Sequence, residues 1–597
     1  MAVLFPSKEE ILTTKPSPTE GELFLINKLE EFLDNSYEIY FQPLLNGDKP
    51  DIVILRKNGG ILIIEVKDWE LSNYRIDNKG NFSLIKNNAY IKSPIHQALR
   101  YKKNICELHM PMVEDASIRK KGIKNVVQIA VYFHKENSSS LRYLRNVSNI
   151  SSNIMGRDNI TKSGIDALMR NTRINGSSIY FNEGLYIESK RMLQPSFQLY
   201  EDRINISLDE YQMECAKSKV GNYKINGVAG SGKTIVLAER ATNCYKRTNG
   251  RILILTYNIT LKNYIEERIG LALQKNNIDR MIRKEFVITN YHQFINSMAN
   301  NHSIKMNLES YDNIGLFNGI DLSYDKFDGI FIDEVQDFKY EWLKIIKENF
   351  LKKNSEYLLV GDEKQNIYDR ELDKENKCKT NVPGTWKTLK KCYRLKEKTA
   401  IVAQKFQSEF LSKKYSSDEF EMVYQPNLFS NSHIKYKKVN ADNDYTKIVD
   451  DIIEYVKNNS LNNNDIAIIS PRVESVRQIE EVLRKKYKIL STIMHETEEQ
   501  YQDIIDKNNE DAAGKKLISI RRAKKCNFRM NDGKIKLSTI KSFKGWEIHT
   551  LFLLYDESCE EENMYVSITR AIISLYVINL GTDRYDNFFK NITEGFE

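Results

Sequence analysis

Three observations predict an α/β protein of several domains. Short apolar strands alternate with amphipathic helices along most of the chain, each bounded by turn residues. The chain has 597 residues, more than one core organises, and 41% of them are hydrophobic, which suffices for ordinary globular cores. A glycine-rich pattern also stands between a strand-like and a helix-like segment, as a phosphate loop requires. In chain order, residues 1–140 carry a helix (GELFLINKLEEFLDN), two strands (DIVILR, GILIIEV), a second helix (IHQALRYKKNICELH) and a further strand (VVQIAVYF), a small α/β domain. Residues 141–205 read as a connector, because KENSSSLRYLRNVSNISSN is rich in Ser and Asn. From residue 206 the strands YKING, RILILTY, FDGIFID, EYLLVGD, DIAIIS, KIKLST and LFLLYD alternate with helices, the pattern of doubly wound parallel sheets. They divide into one domain over 206–395 and a second over 396–597.

Composition excludes several classes. No apolar run approaches the roughly 18 residues of a spanning helix. The start, MAVLFPSKEE, turns acidic too soon for a secretory signal, so a cytoplasmic protein is expected. Seven cysteines without a C-x-x-C pair argue against a disulfide framework or a zinc ribbon. A net charge of +8 permits a nucleic-acid partner without showing one.

GVAGSGKT, residues 227–234, satisfies G-x-x-x-x-G-K-[ST] after YKIN and before the helical IVLAERATNCY. Gly227, Gly230 and Gly232 let backbone N–H groups close on phosphates. Lys233 reaches the β- and γ-phosphates, and the Thr234 hydroxyl ligates Mg²⁺. In FDGIFIDEVQDF a strand delivers Asp333 and Glu334 at its C-terminal end, where such sheets bind ligands. Asp333 is expected to hold the magnesium and Glu334 to take a proton from the attacking water. A chance glycine turn and a pair of solvated acids are the bland readings, and both lose weight because the pieces occur together.

The order of further pieces carries a resemblance. D-E-V-Q-D (333–337), LLVGDEKQNIY (358–368), CYR (392–394), STIKSFKGWE (538–547) and MYVSITRA (564–571) resemble the ATPase motifs of superfamily 1 DNA helicases of the UvrD/Rep type. The resemblance covers residues 206–597 and implies two RecA-like domains with ATP between them. It implies that Gln212 reads adenine, Tyr393 stacks on it and Glu547 bonds the ribose. Arg394 and Arg570 would be arginine fingers on the γ-phosphate, where such a group is worth roughly 10³ or more in rate. Gln365 would sense that phosphate and couple it to the DNA track. For the track the resemblance points to Tyr257, Asn258, His292, Tyr368, Thr539 and Lys541. Bases stack on aromatics at about 1–3 kcal/mol each, while hydroxyls and lysines hold phosphates. Two features depart from the pattern. Relatives carry His where Lys541 stands, and an aromatic with Arg-Gly where Asp369, Arg370 and Glu371 follow Tyr368, so one base-stacking wedge is missing. Too few residues separate DIAIIS from KIKLST for a large accessory domain, and only the polar stretch 490–530 takes its place. A compact two-domain motor follows, with 3′ to 5′ polarity implied by the resemblance.

GGILIIEVKDW, residues 59–69, packs an unbroken apolar run against Glu65, Lys67 and Asp68, and NGDKPDIVILRK precedes it. A three-residue turn at Asn58, Gly59 and Gly60 would set Asp51 across from Lys67, with Glu65 its diagonal neighbour on the same face. A slip of one residue would part them, and two strands apolar on both sides leave the register unfixed. On a shared face, two carboxylates bind Mg²⁺ and a lysine stands beside the resulting water, the equipment for hydrolysing a phosphodiester. This resembles the PD-(D/E)xK nucleases. More narrowly, GELFLINKLE, PDIVIL, IIEVKDW and HQALRYKKNI resemble the nuclease-related domain, NERD, over residues 18–135. The resemblance implies Asp51 and Glu65 as metal ligands, with Mn²⁺ as an alternative ion, Lys67 as their catalytic partner and Glu22 as an auxiliary acid. Gln97 and Tyr101, at i and i+4, match the Q-x-x-x-Y helix of RecB-like nucleases.

Together the resemblances imply an ATP-driven DNA translocase or helicase joined to a Mg²⁺-dependent DNA nuclease that acts on single-stranded or tailed DNA. Bacterial NERD helicases combine such parts, some as anti-phage systems, which also suggests a phage or host single-strand-binding protein as partner. Three other readings stay open: a DNA repair nuclease-helicase, a nucleic-acid sensor whose N-terminal domain binds without chemistry, and an RNA motor. The sequence leaves oligomeric state and endo- against exonuclease action undecided.

Overall fold

The computed structural model describes residues 1–12, 17–43, 45, 48–77, 80–106, 110, 122–146, 153–193, 208–276, 278, 285–415, 421–422, 432–439 and 444–596. The first sheet uses β1 (Val3–Phe5), β2 (Tyr37–Phe41), β3 (Ile52–Arg56) and β4 (Gly60–Lys67). A separate three-stranded antiparallel sheet follows: β5 (Tyr74–Ile76), β6 (Phe82–Leu84) and β7 (Tyr90–Ile91). The chain then returns to the first sheet with β8 (Val127–Phe133) and β9 (Ile154–Gly156), giving the order β1-β2-β3-β4-β8-β9. Pairs β2–β3 and β3–β4 are antiparallel and the others parallel, so this sheet is mixed.

Both faces of β3 and β4 are buried. Ile52, Ile54, Leu62, Ile64 and Val66 meet Leu25, Ile26 and Leu29 of the helix Glu20–Phe32 on one side. Val53, Leu55, Ile61 and Ile63 meet Ile95, Ala98 and Tyr101 of the helix Pro94–Asn104 on the other. Double burial explains the continuous apolar runs. The expected pairing needs one correction. The turn holds Lys57, Asn58 and Gly59, with Arg56 paired to Gly60, one residue earlier than expected. Gly60 has φ +137° and lies so close to the Val126 carbonyl that a Cβ would sit 2.5 Å from it, so this ladder position takes glycine. Ile52 opposes Ile64, and one step on Asp51 lies beside Glu65 rather than across from Lys67. The change in pairing is even, so Asp51, Glu65 and Lys67 keep one face.

Residues 153–193, which composition places in a connector, pack on this sheet. β9 pairs with β8, the helix Lys162–Asn171 adds Ile165, Leu168 and Met169 to one core, and the helix Glu183–Leu193 adds Leu185 and Leu193 to the other. Their apolar residues are few and set among Ser, Asn and charged neighbours, which hides the period. Residues 147–152 and 194–205 of the expected connector lie outside the described residues, as do 206–207 at the start of the next expected domain.

The second large sheet is wholly parallel, in the order β12-β11-β13-β14-β10-β15. Its strands are β10 (Gly221–Gly227), β11 (Ile252–Thr256), β12 (Phe286–Asn290), β13 (Phe327–Ile332), β14 (Leu351–Gly361) and β15 (Lys387–Leu389). A short parallel pair follows, β16 (Lys391–Cys392) with β17 (Glu421–Met422). The third large sheet, also parallel, uses β18 (Ile434–Lys438), β19 (Ile466–Ser470), β20 (Ser491–Ile493), β21 (Ile535–Thr539), β22 (Ile548–Tyr555) and β23 (Ala571–Asn579) in the order β18-β23-β22-β19-β21-β20. The α/β class with two parallel sheets is thus as the sequence predicts. Edge strands such as IKYKK escape an apolar pattern because one face is solvated.

The polar stretch 490–530 folds into the helices Glu498–Lys507 and Glu510–Cys526. Fully buried Glu496 anchors them, accepting from Arg477 at 3.0 Å and from two Arg521 nitrogens at 2.7 Å each. All seven cysteines are free. Among the described residues no helix is long and apolar enough to cross a membrane.

Candidate active sites

The loop after β10 leads into the helix Lys233–Thr248, whose N-cap is Gly232 in the left-handed region at φ +79°. Buried Lys233 turns its ammonium back onto the carbonyls of Gly227 (2.7 Å) and Val228 (3.1 Å), with Asp362 at 3.8 Å. Thr234 Oγ1 donates to Asp333 Oδ2 at 2.9 Å, so the two residues expected at magnesium already meet. Burial pushes the Asp333 carboxyl up, and the neighbouring charge of Glu334 adds to it. A cation would relieve both effects. Glu334 itself is held in the left-handed region, φ +54°, and accepts from Gln336 Nε2. Such a conformation costs a non-glycine residue and recurs at functional sites.

Glu547 and Arg570, which directly precede β22 and β23, reach this site, as does Arg394 from the segment that packs on Gly230. Arg394 Nη1 is paired with Glu547, and its Nη2 donates to the Tyr264 hydroxyl at 2.9 Å. Arg570 Nη2 donates to Gln365 Oε1 at 3.1 Å, while Gln365 Nε2 donates to Asp362 at 2.8 Å. The two expected fingers and Glu547 therefore converge, but each arginine is engaged by protein groups. Lys544, absent from the expected set, joins them: buried, it donates to Asp337 Oδ1 and to the Gln365 carbonyl, each at 2.6 Å, and lies 3.9 Å from Glu334. Burial pushes the Asp337 carboxyl up against the pull of Lys544. The signal was present in the sequence as the lysine of SFKGWE, three residues before Glu547. Lys544→Met is expected to cost roughly 3–5 kcal/mol by leaving Asp337 buried and unpaired. The Asp337→Asn/Lys544→Met double variant recovers most of that loss, and paired thermal denaturation checks it.

Gln212 and Tyr393 line one cavity of about 280 Å³ with Asp209, Tyr211, Ser231 and Lys391. Gln212 Oε1 accepts from the Asp209 N–H at 2.9 Å and its Nε2 donates to Ser231 O at 2.9 Å, so the amide is oriented from both ends. Tyr393 bonds Asp209 through its hydroxyl, leaving its ring along the wall. Gly230 packs on this segment: a Cβ there would lie 3.0 Å from Cys392 Sγ.

The expected DNA-track residues divide. Tyr257, His292 and Tyr368 come together in an aromatic cluster with Trp342: Tyr257–Tyr368 centroids are 4.7 Å apart and His292–Trp342 centroids 5.0 Å. Arg370 fills the place of the missing wedge, its guanidinium 5.2 Å from the Trp342 ring and 5.9 Å from those of Tyr257 and Tyr368, with Nε on the Asp337 carbonyl at 3.0 Å. Exposed Lys541 lies 5.8 Å from the Tyr368 ring. Asn258 and Thr539 are engaged within the protein. Asn258 Nδ2 donates to the carbonyls of Ser542 (3.1 Å) and Lys544 (3.0 Å), and buried Thr539 donates to Ser542 Oγ at 3.1 Å. Asn258 thereby ties the end of β11 to the short helix Ile540–Phe543 that follows β21.

In the first sheet Glu65 is fully buried, while Asp51 and Lys67 are 17% and 16% exposed. Lys67 is bonded to Glu65 and stands 4.0 Å from Asp51, whose Oδ2 also accepts from the Val66 N–H at 2.7 Å. Burial pushes both carboxyls up, each resisted by Lys67, and the charge of Asp51 raises Glu65 further. Glu65 Oε2 is buried without a hydrogen-bond partner among the described residues. An unpaired oxygen on one of two mutually repelling carboxylates suits a divalent cation. Magnesium is commonly held by only one or two carboxylates and waters, and among the described residues no group of three or more His, Cys, Asp and Glu forms a cage. Glu22 lies close enough for its charge to raise Asp51. Its own oxygens accept from the Thr19 N–H and from Gln42 Nε2, at 2.7 and 2.8 Å, so it also caps its helix. Tyr101 donates to the Lys49 carbonyl at 3.2 Å and accepts from Gln97 Nε2 at 3.0 Å. Burial, then the charge of Glu65, pushes its phenol up to about 12.

Fold and sites define an N-terminal domain on a mixed sheet with an acid–acid–lysine face, followed by a phosphate-loop unit and a further parallel-sheet unit. Residues 17–134 match the family model of the nuclease-related domain, and residues 206–371 match that of an AAA domain. The chain thus carries a segment similar to the nuclease-related domain, followed by one similar to an AAA domain. No curated protein matches it. Among solved structures, the PRRSV helicase is similar at 12% identity over 62% of this chain and 54% of its own, with a TM-score of 0.28. Arterivirus nonstructural protein 10, a helicase, is similar at 10% identity over 65% and 64%, with a TM-score of 0.26. The chain therefore spans less than two thirds of the length of either.

Proposed function

We propose that this protein is an ATP-driven translocase or helicase on single-stranded or tailed DNA that also cuts DNA with a divalent metal. The observation that carries the reading is the single face of Asp51, Glu65 and Lys67 with its orphaned Glu65 oxygen, in one chain with a loop where Thr234 meets Asp333. Asp51 and Glu65 would hold the ion, which supplies a water acidified toward neutrality. Lys67 offers positive charge to a phosphate oxygen, and Gln97 fixes the Tyr101 hydroxyl beside it. In the motor, Lys233 exchanges two backbone carbonyls for the β- and γ-phosphates of ATP, and Thr234 with Asp333 would hold the magnesium. Glu334 takes the proton of the attacking water. Arg394 and Arg570 reach the γ-phosphate only by leaving Glu547 and Gln365, so each ATP cycle exchanges protein pairs across the cleft.

Single-stranded DNA is expected to stimulate ATP hydrolysis at least tenfold and RNA of the same sequence far less, in steady-state assays. Equal stimulation would move the reading to an RNA or mixed-substrate motor. Movement from 3′ to 5′ and a defence role against phage DNA with a single-strand-binding protein as partner rest on the helicase and NERD resemblances. Displacement of a terminal block from either end of a labelled strand tests the polarity.

A further inference from the structure

The small sheet β5–β7 leaves the chain only a few residues after Lys67 and is locked to it. Trp69 stacks on Tyr74 with centroids 4.6 Å apart, meets Phe82 edge-on at 5.6 Å, and lies under the Lys67 ammonium at 5.8 Å. Tyr74, Ile76, Phe82 and Ile91 face the core. Register then decides what the outer face carries. Arg75 pairs with Ser83, and Ser83 with Tyr90, so these three form one row across the sheet, perpendicular to its strands. Tyr90 is 67% exposed. Exposed Lys86 stands in the turn between β6 and β7, and exposed Lys92 directly follows β7. The nearby acids are turned aside: Asp77 accepts from the Asn81 N–H (2.8 Å) and Nδ2 (2.9 Å), and Glu70 pairs with Lys135 at 3.3 Å.

We infer that this outer face is a docking platform for the single-stranded DNA cut at Asp51, Glu65 and Lys67, an inference that rests on the nuclease reading for its substrate. A cation, a hydroxyl and an open aromatic ring in one row supply a phosphate contact and a stacking surface for an unpaired base, whereas duplex bases are already stacked. A protein partner would want a continuous apolar patch. Here Tyr74, Ile76, Phe82 and Ile91 point inward, and beside Tyr90 the one exposed large apolar side chain among the described residues of the sheet and its turns is Ile85, too little for such a patch.

The test photo-crosslinks a 4-thiothymidine single-stranded oligonucleotide to the full-length protein and maps the labelled peptides. Label is expected on the peptide containing Tyr90, in wild type and in Lys67→Ala alike. The Arg75→Ala/Tyr90→Ala variant loses it and raises the KM for single-strand cleavage about tenfold with kcat little changed, while Tyr90→Phe keeps both. These side chains lie on the outer face, so the thermal midpoint of the double variant checks that folding is intact. Label confined to motor peptides, an unchanged KM, or stronger labelling by a matching RNA would overturn the assignment. Label at Tyr90 with no cleavage by wild type would keep the platform and sink the nuclease reading.

Discussion

Lys67→Ala is expected to abolish metal-dependent DNA cleavage, by roughly 10³-fold or more, while ATP hydrolysis on DNA continues. Lys67 is the ammonium bonded to Glu65 and stands 4.0 Å from Asp51, inside a sheet with cores on both faces. Its removal has two effects that act together. The developing charge on the phosphate loses its nearest cation, and two buried carboxyls lose the charge that opposes the upward push of burial on both. Protonated carboxyls do not hold a divalent ion, so metal affinity falls along with turnover. Lys67→Arg is not a mild change, because the planar guanidinium is larger and cannot occupy the same point between the two acids. Titration of Mg²⁺ or Mn²⁺ in a multiple-turnover cleavage assay separates the effects: excess metal restores a variant impaired only in binding and leaves Lys67→Ala inactive.

Lys233→Ala is expected to remove ATP hydrolysis to a similar degree while leaving the Asp51, Glu65 and Lys67 face intact. The ammonium is held by the Gly227 and Val228 carbonyls beside Asp362, and nothing else in the loop offers a full positive charge to the phosphates. Arg394 and Arg570 do not substitute, since they are tied to Glu547 and Gln365. Steady-state hydrolysis with saturating single-stranded DNA measures the loss.

Much of this plan was legible in the sequence, and the reasons differ by region. The phosphate loop and the Asp333–Glu334 strand end read clearly because their chemistry demands fixed residue types in a fixed strand–loop–helix order. The Asp51, Glu65 and Lys67 set was visible as types, but its register was not, because strands apolar on both faces carry no alternation; Gly60 in the ladder shifted the turn. Contacts between layers were least legible. Asn258 and Thr539 look like DNA-track residues in the motifs, yet the structure engages both with the short helix Ile540–Phe543 that follows β21. Lys544 and Arg370 carry structural links through Asp337 that lie far apart in sequence. The packing of residues 153–193 on the first sheet was hidden by a loop-like composition.

The most direct measurement of the central claim is cleavage of end-labelled tailed DNA with Mg²⁺, with and without ATP, by wild type, Lys67→Ala and Lys233→Ala side by side. Wild type is expected to cut in a manner that changes with ATP, Lys67→Ala not to cut, and Lys233→Ala to cut without responding to ATP. If no protein cuts while ATP is still hydrolysed on DNA, the N-terminal domain binds without chemistry and the nuclease assignment is contradicted.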